Sequence, residues 1–110
     1  MPKATDADIA KTKADNPGVA VYLVEHPTLP HEFLVKGPGS QLWDMYRAKV
    51  SSEDEKIHAD AMLFAGCVLW PPKSPERDEL VELYPGLVNV VAGEVVEIGG
   101  ASKLAKHRKV

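Results

Sequence analysis

The sharpest chemical pattern in the chain is Glu25-His26, a four-residue gap, then His31-Glu32. Two imidazoles and a carboxylate can ligate zinc, and three protein ligands are the minimum of a catalytic zinc site. That chemistry needs a hairpin that closes with His26 and His31 facing across its mouth. The connector His26-Pro27-Thr28-Leu29-Pro30-His31 reads equally as polar residues framing a proline turn. Catalytic zinc signatures carry more specific spacing, such as two histidines on one helix face. No metal ligand and no cofactor is therefore assigned.

Nucleophiles lack partners. Cys67 lies inside an apolar run, where a thiol behaves as a small hydrophobe and stays protonated. The preceding histidine, His58, is nine residues back, two and a half helical turns away. Ser40, Ser52 and Ser74 each stand at an expected helix start, where capping accounts for them. Neither GxSxG nor a phosphate-binding or dinucleotide-binding glycine motif occurs, since Gly37-Pro38-Gly39 is too short. The acid clusters Asp54-Glu55 and Glu76, Asp78, Glu79 are charges expected in first helical turns. No catalytic residue is assigned, and the chain reads as a binding protein rather than an enzyme. The candidate protein-binding residues are Leu29 at a loop tip, Trp43 one step off an apolar helix face, and Trp70 beside two prolines. Tryptophans at element ends are enriched in interfaces, because a rigid ring buries area at low entropic cost. The competing reading places both tryptophans at the margin of the core.

Turn and breaker residues divide the chain that must position these groups. A lead over 1–17, disordered or loosely helical, ends at the turn Asn16-Pro17-Gly18. Val19–Glu25 and Glu32–Lys36 are rich in β-branched and aromatic residues and predict a β-hairpin. Apolar residues fall on both alternation phases, which predicts burial of both faces, one under helices and the other against a partner or the N-terminal arm. Ser40 then caps a helix through about Lys49. Ser52-Glu53-Asp54-Glu55 reads as a capping box opening a central helix, with Ile57, Ala61, Phe64 and Val68 along one stripe, ending at Pro71-Pro72. Ser74-Pro75-Glu76 starts a short helix with Leu80, Leu83 and Tyr84 inward. Pro85-Gly86 starts a last helix with Leu87, Val88, Val91, Val95 and Ile98 inward, closed by Gly99-Gly100 in a φ > 0 cap; its valines also allow a strand over 95–98. The fold class is α+β, an N-terminal β-hairpin followed by a bundle of three to four short helices. The expected organisation is a flexible lead (1–17), one α+β domain (18–101) and a basic flexible tail (102–110).

Composition agrees with one ordinary globular domain: 110 residues, 45% apolar, 26% charged. The single cysteine excludes an intrachain disulfide framework. No signal-like segment and no run of eighteen apolar residues occurs, so a cytoplasmic protein is expected. Lys103, Lys106, Arg108 and Lys109 put +4 on the last eight residues of a chain of net charge −3, leaving −7 on residues 1–102. Such an acidic body repels a phosphate backbone, which disfavours nucleic acid as partner.

The order of elements carries a resemblance. A polar lead, a strand pair and two helices lead to Cys67-Val68-Leu69-Trp70-Pro71-Pro72. Leu83-Tyr84-Pro85-Gly86-Leu87 and a final apolar helix follow. Over about residues 19–100 this resembles the tail assembly chaperones of tailed bacteriophages. The matching residues Cys67, Val68, Trp70, Pro71, Pro85 and Gly86 are structural landmarks and transfer no binding site. The resemblance implies a protein of the host cytoplasm that binds the long, helical tape-measure protein and recruits tail-tube subunits during tail morphogenesis. It also implies that a frameshifted extension would begin near Lys103–Val110. The alternative reading is a structural virion component, a tail terminator or head–tail connector that forms a ring.

Overall fold

The computed structural model describes residues 3–25 and 31–99. Helix α1 (Asp6–Asp15) comes first and is followed by strands β1 (Tyr22–Glu25) and β2 (Glu32–Val35). Helix α2 (Ser40–Val50), a 3₁₀ turn (Lys56–His58), helix α3 (Ala59–Cys67) and strand β3 (Val68–Trp70) come next. Helices α4 (Pro75–Leu83) and α5 (Gly86–Ile98) complete the described chain. The fold is α+β, but the hairpin is not its first element. The lead carries α1, opened by a capping box at Thr5-x-x-Asp8. Thr5 Oγ1 accepts from the Asp8 N–H at 3.1 Å, and the Asp8 carboxylate accepts from the Thr5 N–H at 2.9 Å. The helix ends at Asn16-Pro17-Gly18, where Val19 N–H donates to Asn16 O at 3.2 Å and Gly18 takes φ +78°. Proline followed by a positive-φ glycine is the pattern of a type II turn.

The sheet has order β1-β2-β3 and is antiparallel throughout, with Tyr22 opposite Val35 and Glu25 opposite Glu32. Phe33, Leu34 and Val35 of the central strand are all buried. Phe33 and Val35 join the main core with Leu63, Phe64, Cys67, Leu80, Leu87, Val91, Ala92 and Val95. Leu34 alternates to the other face. There α1 packs on β3, Thr12 is buried, and Ala4 N–H donates to the Glu32 carboxylate at 2.8 Å. The N-terminal arm thus covers the second face at β2 and β3 only. On β1, Tyr22 and Leu23 are 43% and 45% exposed and Val24 alone is buried. The expected burial of both faces fails at this edge strand, which has no neighbour beyond it among the described residues to carry a cover.

The third strand departs from the sequence reading, which ran the central helix through to the prolines. Helix α3 stops at Cys67, and Val68–Trp70 pairs with β2 (Val35 with Val68, Leu34 with Trp70), while Lys36 N–H donates to Cys67 O at 3.0 Å. Two causes act together. Proline drives the residue before it into extended backbone, and β2 offers an open edge to a segment that begins with β-branched Val68.

The start of that helix is also displaced. The Ser52–Glu55 capping box does not form: Ser52 O accepts from Glu55 and Lys56 N–H in a turn, and the Glu55 carboxylate accepts from Lys49 Nζ at 3.0 Å. The 3₁₀ turn breaks the helical phase, so Ile57 is 77% exposed instead of lying on the core stripe, and Ala61 is exposed too. Gly39, not Ser40, occupies the cap of α2. Helix α5 runs through Gly93 to Ile98, so no strand forms over 95–98. Gly99 is the C-cap at φ −70°, and Gly100, the other residue of the expected φ > 0 cap, lies outside the described residues. The surroundings of Gly99 are tight: a Cβ there would lie 3.2 Å from Pro38 Cγ and 3.4 Å from Trp43 Cζ3. Among the described residues no helix is long and apolar enough to cross a membrane.

Candidate protein-binding site

Helix α4 starts as its sequence dictates. Ser74 is extended, its Oγ accepts from Arg77 N–H at 3.2 Å, and Pro75 takes the first helical position. What docks the helix is less expected. Arg77 turns inward, is buried, and donates from Nη1 to Pro71 O at 3.0 Å, with its guanidinium 5.3 Å from the Phe64 ring centroid. Burial lowers the guanidinium pKa and the Asp78 carboxylate opposes that shift. At about 100° per residue, Arg77, Leu80 and Val81 span an arc of roughly 100°. That arc is the inward face.

Leu83 falls outside it, on the neighbouring arc with Glu76 and Glu79. The sequence placed Leu80, Leu83 and Tyr84 all inward; only Leu80 is buried, while Leu83 is 66% and Tyr84 42% exposed. Arg77 is drawn to the inner face, while Leu83 and Tyr84, which the apolar pattern assigned there, stay exposed. The signal for this is Arg77 itself, in phase with Leu80 and Val81, although nothing in the local sequence names its partners at Phe64 and Pro71.

The result is a cleft of about 350 Å³ lined by His31, Glu76, Glu79, Leu80, Leu83 and Tyr84. His31 is buried, with its ring 5.1 Å from that of Tyr84 and tilted 51° to it. Beside the cleft, Val24, Glu25, Phe33, Leu87, Val90 and Val91 surround the other side of His31. Val90, 41% exposed, extends the apolar surface onto α5.

Of the residues singled out from the sequence, His31 lines this cleft and the two tryptophans do not. Leu29 and His26 lie outside the described residues. Trp43 is half-buried on α2, its ring 5.6 Å from Tyr46 and against Gly99. Trp70 is half-buried in β3 opposite Leu34. Neither lines the cleft. Of the histidine pair only His31 is described, and it forms a wall of the apolar cleft. Among the described residues no three His, Cys, Asp or Glu side chains group as metal ligands do. Cys67 is fully buried, and burial pushes its thiol pKa up, with Lys36 opposing. This is the environment of an inert core cysteine.

The fold has a counterpart among solved structures. The uncharacterised protein RBSTP2171 from Bacillus stearothermophilus superposes with a TM-score of 0.72, covering 92% of this chain and 99% of that one at 23% identity. At that identity the likeness speaks for the fold alone. No family model and no curated protein matches the chain.

Proposed function

We propose that this chain is a bacteriophage tail assembly chaperone: a binding protein, not an enzyme, that holds the tape-measure protein and recruits tail-tube subunits in the host cytoplasm. The observation that carries the reading is the exposure of Leu83 and Tyr84. These two residues directly precede Pro85-Gly86, one of the structural landmarks of the family resemblance. Apolar side chains held outward by a well-anchored helix suit transient protein binding. An acidic body keeps such a carrier soluble and away from nucleic acid.

A tagged chain expressed in infected or lysogenic host cells, captured and analysed by mass spectrometry, tests this reading. Co-purification of a very long helical phage protein supports it. Light scattering separates it from the ring-forming virion component: a monomer or dimer is expected, and a stable hexamer or larger ring overturns the chaperone reading.

A further inference from the structure

The strongest unassigned surface is the outward stripe of α4. Glu76, Glu79 and Leu83 recur at the three- and four-residue spacing of one helix face and run about 10 Å along the axis. The buried Leu80, at the edge of the inward face, forms the floor of the cleft beside them. Tyr84 and Val90 continue the apolar floor past the end of the helix. Among the described residues, every charged side chain lining the cleft and its neighbour is a carboxylate: Glu25, Glu76 and Glu79. The nearby cations in sequence are engaged elsewhere, Lys73 with Asp78 at 3.1 Å and Arg77 with Pro71 O. A second exposed apolar region, around Met45, Val50 and Ile57, differs in this respect: the charges at its cavity, Lys49 and Glu55, pair with each other at 3.0 Å. A third, Val19, Tyr22 and Leu23 at the sheet edge, lines no cavity among the described residues. No charged side chain other than Lys49 and Glu55 lines the cavity of the second region among the described residues.

We propose that the α4 stripe with Tyr84 seats a basic amphipathic helix of a partner protein. Apolar anchors of that helix, one turn apart, enter beside Leu80 and Leu83, and its flanking Lys or Arg residues meet Glu76 and Glu79. A helix is favoured because the cleft follows a helix axis, along which ridges and grooves of two helices interlock. Charge complementarity sets the direction of the preference. Only the identity of the partner rests on the chaperone reading; the surface does not.

The test uses the full chain and two synthetic probes of about three heptads each, with Leu at the seam and either Lys or Glu flanking it. The Lys peptide is expected to bind and to shift the amide resonances of Glu76, Glu79, Leu83 and Tyr84. The double change Glu76→Lys and Glu79→Lys is expected to weaken it at least tenfold and to strengthen the Glu peptide. Leu83→Asp, at an exposed position, is expected to abolish binding without moving the melt. Shifts centred on Met45, Val50 and Ile57, or an unchanged preference in the charge-swapped protein, overturn the proposal. So does a dimer that Leu83→Asp dissolves and the Lys peptide does not, because a second copy is then the occupant. Capture of the tape-measure protein undiminished by Leu83→Asp overturns the seat and leaves the chaperone reading standing. Peptide binding at α4 without any tape-measure capture does the reverse.

Discussion

Replacing Arg77 by alanine removes three things at once: a charged hydrogen bond to Pro71 O, a cation over Phe64, and a buried aliphatic stem. A hydrogen bond to a charged group contributes about 1.5–3 kcal/mol. A partly desolvated cation–π contact adds about 1 kcal/mol. Offsetting these, the variant no longer keeps a guanidinium out of water, a cost that the lowered pKa reflects. The net expected loss is about 2–3 kcal/mol, or roughly 10–20 °C in Tm for a domain of this size. Urea unfolding followed by tryptophan fluorescence reads it directly, since Trp70 adjoins Pro71. The slope with denaturant should stay unchanged. Arg77→Met keeps the stem and should recover about 1 kcal/mol. A double-mutant cycle with Phe64→Leu should return a coupling of about 1 kcal/mol for the cation–π term. A loss below about 0.5 kcal/mol for Arg77→Ala, the scale of ordinary surface changes, would refute Arg77 as the anchor of α4.

Cys67 should resist a thiol reagent in the native protein and react fully in urea. Its thiol pKa is raised by burial, so its contribution to stability is complete below the ordinary value of 9.0 and is lost as pH rises through the folded value. Cys67→Ala should therefore flatten the alkaline fall in stability above pH 9.0, leaving the part due to Tyr46, whose pKa is also raised by burial, from 10.0 upward. Trp70→Ala and Trp43→Ala should each lower stability by about 1–3 kcal/mol, below the range for fully buried rings. A melt unchanged in either variant, with weaker partner binding, would return that tryptophan to the interface. Thr5→Ala should cost α1 about 1 kcal/mol and speed hydrogen exchange at Asp8 and Ile9, with little movement of the global urea midpoint.

The devices legible in the sequence act over a few residues. The Asn16-Pro17-Gly18 turn, the hairpin, the Ser74-Pro75 helix start, the Pro85-Gly86 helix start and the burial of Cys67 all stand where local chemistry puts them. Each depends on a cap, a fixed φ or a side-chain preference that its neighbours complete. The candidate site was legible only in part. His31 stands out in the sequence, but as half of a metal pair. Leu83 and Tyr84 read as core, because three apolar residues on a short helix outrank one arginine by pattern alone.

What the chain by itself determined is therefore the α+β class and those boundaries set by proline, glycine or a cap, at Asn16-Pro17-Gly18, Ser74-Pro75 and Pro85-Gly86. Only the tertiary structure decided the fate of segments whose partners are distant. Val68–Trp70 became a strand because β2 had an open edge. The N-terminal lead packs as α1 against β3, on the second face of the sheet. Arg77 turned inward because Phe64 and Pro71 O lay within reach, and in doing so it left Leu83 facing solvent. Periodicity identifies a face, but which face is buried depends on what the rest of the fold places opposite it.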